Sequence, residues 1–170
     1  RVDIPMILYN VPGRTGINIA TDTVVELAKH KNIQAMKDAT DNIAYAMDVL
    51  SRTKDLDFDM YSGCDDNILP FIAAGGKGVI SVLSNIYPRE TEKFVQAIFD
   101  GDMKLARDMA YDFNDVSKYL FVDVNPIMPK AALAKLGVCG EMVRRPLIVT
   151  TEENKKLLFD AMEKFEKKGY

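Results

Sequence analysis

Four short apolar runs, separated by stretches of helical spacing, set the limits on what the first half of this sequence can fold into. They are residues 4–9 (IPMILY), 33–37 (IQAMK), 58–62 (FDMYS) and 77–83 (KGVISVL). Runs of this length suit buried strands, the last one especially because it is rich in β-branched residues. Between them, residues 21–30 place Val24, Val25, Leu27 and Ala28 at helical spacing, with Thr21 or Asp22 as the cap. Residues 41–52 put Ile43, Ala46, Met47 and Leu50 on one helical face. Residues 65–73 read as a short helix capped by Asp65 or Asp66. Strand, helix and strand in succession predict right-handed βαβ units and a parallel sheet.

After Leu83 the strands stop. Residues 88–99 are helical, with Pro88 suited to a first turn and Gly101 as a break. A long helix spans 102–120, another spans 128–136 and ends at Gly137, and a last one covers 151–168 with Thr151 and Asn154 near a capping arrangement. The expected fold is α/β over residues 1–87, four parallel strands with their helices, followed by a helical domain over 88–170. A closed (β/α)₈ barrel needs eight strands and about 250 residues, so four strands cannot close one. Half a barrel leaves two open edges and an uncovered apolar face. The chain opens at Arg1, close to strand-like sequence. That start leads us to expect a piece of a longer protein.

Composition narrows the partners. A net charge of −3 and a pI near 5.2 give no footprint for nucleic acid or an anionic membrane. Lys155, Lys156, Lys164, Lys167 and Lys168 alternate with Glu residues, as on a solvated helix face. No apolar run approaches the roughly 20 residues of a membrane span. The two cysteines, Cys64 and Cys139, share no motif. A disulfide framework or metal site is therefore not expected, and the setting is expected to be reducing and cytoplasmic.

Chemistry in parallel α/β folds gathers at the carboxyl ends of the strands. The first run ends in YNVPGRTG, bringing Tyr9, Asn10 and Arg14; the second ends at Lys37. The third ends in YSGCDD and the fourth in VISVLSN. A desolvated lysine has a lowered pKa, and its neutral amine attacks ketones to give a Schiff base. The iminium then serves as an electron sink. A tyrosine can shuttle protons, and an arginine can clamp a carboxylate with two parallel hydrogen bonds. Taken singly, each residue has a plainer reading. A strand-end lysine can be solvated, a tyrosine can be a rim aromatic, and an arginine can pair with a surface acid. The GGKG stretch at 75–78 precedes a strand rather than linking a strand to a helix, so it does not fit a phosphate loop. His30 suits a helix end, and Cys64 has no activating neighbour in the sequence.

In order, YNVPGRTG, MKDAT, YSGCDD, GGKGVISVLSN and VNPIMPKAAL resemble the motifs of the dihydrodipicolinate synthase family. These are pyruvate-dependent class I aldolases, which also include N-acetylneuraminate lyase. The resemblance runs from Pro5 to the C-terminus and implies strands five to eight of a (β/α)₈ barrel plus the C-terminal helices. It implies that Lys37 forms the Schiff base with pyruvate and that Tyr9 relays protons. Arg14 would bind the carboxylate of aspartate β-semialdehyde, and the backbone carbonyls of Gly63 and Ile80 would line the pocket. It further implies lysine biosynthesis through diaminopimelate, a homotetramer, and no cofactor beyond the lysine imine.

Two departures stand out. Asp41 occupies a position where the family commonly has glycine, which is expected to alter the loop after Lys37. The first half of the barrel, with the loop that binds the pyruvate carboxylate and a second relay tyrosine, is absent from these residues. The isolated 170 residues are thus expected to be inactive. Two other readings remain open at this point: a sialic acid or keto-sugar-acid aldolase of the same family, and a non-catalytic half-barrel that serves as a binding or assembly module.

Overall fold

A computed structural model describes residues 3–170. They fall in two compact units, Arg1–Ser81 and Val82–Tyr170. In the first, β1 (Met6–Asn10), β2 (Ile33–Asp38) and β3 (Asp59–Ser62) form a parallel sheet in chain order. The connections carry α1 (Pro12–Thr15), α2 (Thr21–Leu27) and α3 (Ile43–Thr53), and α4 (Ile68–Ala73) follows β3.

Register decides which side chains share a face. Leu8, Met36 and Met60 lie in one row across the sheet. Met36 and Met60 are fully buried and pack with Val24, Ala28, Ala46, Val49 and Phe71 from the helices. Because successive strand residues point to opposite faces, the next row, Tyr9, Lys37 and Tyr61, faces away from that core. The row after it, Asn10, Asp38 and Ser62, returns to the helix side and is buried. On β1, Met6, Ile7 and Tyr9 are exposed, as is Ile4 just before it. Among the described residues no strand pairs with the outer edge of β1.

The fourth apolar run departs from expectation. Residues 77–80 follow β3: Lys77 N donates to Met60 O at 2.8 Å, Ser62 N donates to Gly78 O at 2.9 Å, and Ile80 N donates to Ser62 O at 2.8 Å. Regular pairing nonetheless shrinks to one bridge, Ser62 with Val79. Gly78 takes φ +144, outside the strand region, and interrupts the ladder. Leu83–Asn85, expected to end and follow that strand, is a 3₁₀ turn. Among the described residues the expected four strands are therefore three strands and one paired position.

Helix boundaries differ in similar detail. α2 is preceded by Ala20 in extended conformation, so Thr21 and Asp22 lie inside its first turn rather than capping it. Asp22 instead accepts from Arg52 Nη2 at 2.6 Å, tying α2 to α3. Asn42 caps α3, accepting from Tyr45 N at 3.1 Å. The buried face of α3 runs through Ala46 and Val49, while Met47 points outward at 54% exposure. The segment after β3 starts as a 3₁₀ turn, Asp65–Asn67, preceded by Cys64, so Asp65 and Asp66 sit within the turn.

The second unit is helical: α5 (Pro88–Phe99), α6 (Met103–Leu120), α7 (Ile127–Lys135) and α8 (Glu152–Glu166). Asp102 caps α6 through Leu105 N, and Thr151 caps α8 through Asn154 N. An aromatic cluster holds α5, α6 and α8 together. Phe113 stacks on Phe165 with ring centres 4.3 Å apart, and Tyr87 tilts against Phe165 at 4.8 Å. Burial and the Glu166 carboxylate push the Tyr87 phenol well above its usual range, so it stays a hydrogen-bond donor to Glu166.

The assignment of faces in the first unit is testable. Met60→Ala removes a fully buried side chain and costs about 2–5 kcal/mol in urea unfolding. Met47→Ala on the outer side of α3 changes stability by less than about 0.5 kcal/mol.

Candidate active site

Parallel pairing places Lys37 directly between Tyr9 and Tyr61 near the carboxyl ends of the strands. The Lys37 Nζ lies 4.5 Å from the centre of the Tyr9 ring, within range of a cation–π contact. Tyr9 is about half exposed and Lys37 is half-buried, so the amine is reachable from the sheet's open face.

Gly63, one residue past β3, closes on this row from the side. Its N–H donates to Asp38 O at 2.7 Å, drawing the two backbones together. A Cβ at position 63 would lie 2.9 Å from Lys37 Cε and 2.8 Å from Ala39 Cβ. Glycine here is thus what leaves a lane for the lysine side chain. Ile80 is hydrogen-bonded through its N–H to Ser62 O, beside β3, and is 41% exposed. Arg14 sits on α1, in the loop that leaves β1. Pro12 starts that single turn, and Gly16 at φ +71 ends it. Among the described residues Arg14 forms no ion pair, which leaves its guanidinium available to an anion.

Behind the open row stands the buried polar one. Asp38 accepts from Thr40 N and Thr40 Oγ1, both at 3.1 Å. Burial raises its pKa, against the opposing effect of the two Thr40 bonds. Ser62 Oγ donates to Cys64 O at 2.8 Å and lies 3.2 Å from Cys64 N. Asn10 Oδ1 accepts from Ile19 N at 3.2 Å. Each strand therefore ends on a buried polar side chain that bonds to the loop following that same strand.

Two expectations about neighbouring residues meet the structure here. Asp41 adopts φ +58, the left-handed conformation that glycine takes freely and aspartate tolerates better than most residues. It also bonds to Asn67 Nδ2. The loop after Lys37 therefore makes a turn of the kind glycine favours. Cys64 is unreactive by environment: burial first, then the Asp41 charge, push its thiol up to about 11.

Sequence reasoning missed Tyr61 and Tyr45, and it placed Asn10 at the strand end without its partners. Tyr61 was within reach, since the period of two that buries Met60 and Ser62 turns Tyr61 to the Lys37 side. Tyr45 carried no local signal, because its partners are 26 and 35 residues away.

Comparison with known proteins follows the same lines. The Dihydrodipicolinate synthetase family profile matches residues 1–165. The chain belongs to that family. A 4-hydroxy-tetrahydrodipicolinate synthase of Exiguobacterium sibiricum is 43% identical over 96% of this chain and 56% of its own length. One from Methanospirillum hungatei is 38% identical over 97% of the chain and 57% of the relative. Among solved structures, dihydrodipicolinate synthase from Thermotoga maritima superposes with a TM-score of 0.94 at 35% identity, covering 98% of this chain and 57% of that one. The Aquifex aeolicus enzyme gives 0.91 at 39% identity, covering 97% and 56%. The fold is thus the α/β fold of this family, and the chain spans little more than half the length of these relatives.

The crowding at position 63 gives a direct test. Gly63→Ala forces an extra methyl against Lys37 and Ala39 and lowers stability by about 1–3 kcal/mol in urea unfolding. The same variant shifts the NMR signals of the Lys37 ε-methylene as it leaves the Tyr9 ring.

Proposed function

We propose that residues 1–170 act as the C-terminal part of a complete (β/α)₈ barrel that condenses pyruvate with aspartate β-semialdehyde. Residues 1–87 would supply strands five to eight, and 88–170 the C-terminal helical domain. The observation that carries this reading is the row in which Lys37 stands between two tyrosines, with its amine against the Tyr9 ring. The names of the relatives, 4-hydroxy-tetrahydrodipicolinate synthase, agree with it.

The chemistry assigns each residue a step. The Lys37 amine adds to the ketone of pyruvate and water leaves, giving an iminium. Loss of a methyl proton turns the iminium into an enamine, whose carbon attacks the aldehyde of the second substrate. Tyr9, over the amine, hands protons to and from the reacting oxygens. Arg14 binds the carboxylate of the semialdehyde in a two-bonded clamp. The amino group of the semialdehyde then displaces Lys37 from the imine, which closes the heterocycle and frees the enzyme. The lysine imine is the only electron sink this sequence of steps needs.

The open side of the sheet supports a larger barrel. β1 ends the sheet with exposed Met6, Ile7 and Tyr9, and apolar strands of this kind are normally covered. In the complete protein the N-terminal half would cover them and would supply the groups that hold the pyruvate carboxylate. A homo-oligomer, a tetramer on the family pattern, and a cytoplasmic setting complete the proposal. No helix among the described residues is long and apolar enough to cross a membrane.

Arg14 separates this reading from a sugar-acid aldolase, whose second substrate calls for hydroxyl-binding groups at that place. The test is turnover by the complete barrel carrying these residues. Product forms from pyruvate and aspartate β-semialdehyde, N-acetylneuraminate is not cleaved, and Lys37→Ala lowers the rate by at least about 10³-fold. Cleavage of N-acetylneuraminate in preference would replace the synthase with the aldolase. Turnover that survives Lys37→Ala would overturn both.

A further inference from the structure

Arg14 rides on an eight-residue loop, 11–18, and the structure holds that loop at its base. Asn10 is 1% exposed and uses its whole amide. Its Oδ1 accepts from Ile19 N at 3.2 Å, and its Nδ2 donates to Asn18 Oδ1 at 2.7 Å and to Tyr45 Oη at 3.2 Å. Tyr45 Oη in turn donates to Ile19 O at 2.7 Å. The last residue of β1 and the residue that closes the loop are thereby joined through both polar groups of the Ile19 backbone. The Asn10 carbonyl also accepts from Ala39 N at 2.8 Å, just beyond Lys37. One buried asparagine therefore ties the strand of Tyr9, the loop of Arg14 and the end of the Lys37 strand together.

We propose that Asn10, Asn18 and Tyr45 form a positioning clamp that holds the Arg14 loop at a fixed distance from the Lys37–Tyr9 pair. This rests on the reading of Arg14 as the carboxylate clamp for the second substrate. The loop has little else to hold it. Its residues from Gly13 to Asn18 are exposed, and its internal bonds, Thr15 Oγ1 to Val11 O and to Ile17 O, shape the turn without fixing it to the sheet. Tyr45 lies on α3, which is rooted in the core through Ala46 and Val49, so the clamp refers the loop to a rigid element. Burial, then the Asp38 charge, push the Tyr45 phenol up to about 12. It therefore remains a donor to Ile19 across the working pH range.

A preorganised clamp lowers the cost of binding the substrate it contacts and no other. In the complete barrel, Tyr45→Phe leaves Ile19 O without its donor and loosens the loop. KM for aspartate β-semialdehyde rises roughly five- to tenfold, the equivalent of one hydrogen bond, whereas KM for pyruvate and kcat stay within about twofold. Asn18→Ala behaves alike. Ser51→Ala, on the exposed side of the same helix, changes none of the three. Hydrogen exchange gives an independent reading, with the amides of Gly16 and Ile19 exchanging faster in Tyr45→Phe and those of β2 unchanged. Arg14→Ala serves as the reference. If it raises the semialdehyde KM and the two clamp variants do not, the clamp is refuted and the reading of Arg14 stands. If Arg14→Ala leaves that KM unchanged, the reading itself falls, and the clamp with it. A fall in kcat together with a rise in both KM values would mark Tyr45 as merely structural and overturn the proposal.

Discussion

The alternation of side chains at the strand ends governs this structure. Three consecutive rows, one residue apart, take three different environments. Leu8, Met36 and Met60 enter the core; Tyr9, Lys37 and Tyr61 face the open side; Asn10, Asp38 and Ser62 go back under the helices. A slip of one residue in β2 would bury the amine and expose Met36. The fully buried Met36 and Met60 thus fix the direction in which Lys37 points. Packing energy on one face sets the direction of the side chains on the other.

The buried polar row adds a second layer to that coupling. Burying an asparagine, an aspartate and a serine is costly unless each finds partners. Here the partners are the loops themselves, so the requirement to satisfy these groups also dictates where the loops go. Gly63 contributes in the opposite sense, by the absence of an atom. Its N–H draws β3 against Asp38, and only a missing Cβ lets Lys37 pass at that distance.

Much of this was legible in the sequence, and the exceptions share physical causes. The three strands, the four helices from Pro88 on and the cap at Thr151 follow from local pattern and local chemistry. Lys37 and Tyr9 were readable as strand-end residues, and the register brings them together. The run at 77–83 misled because β-branched residues report a preference for extension, and extension also needs a permissive backbone. Gly78, at φ +144, breaks it after a single bridge. Met47 misled because apolar spacing alone allows two adjacent faces of α3, and packing against β2 and β3 selects the one through Val49. Asp41 shows the reverse case. A residue that looks disruptive in the sequence takes up a left-handed turn, since aspartate tolerates that conformation. Tyr45 and Asn10 could not be paired from sequence, because nothing local links residues 35 positions apart.

The central claim is that the Lys37 amine bonds covalently to a keto acid. It is tested most directly by treating the complete barrel with pyruvate and sodium borohydride, then mapping the modified peptide by mass spectrometry. The account predicts one reduced pyruvate adduct, on Lys37, absent when either reagent is omitted. An adduct on another lysine, or none under conditions where the protein is folded, would contradict it.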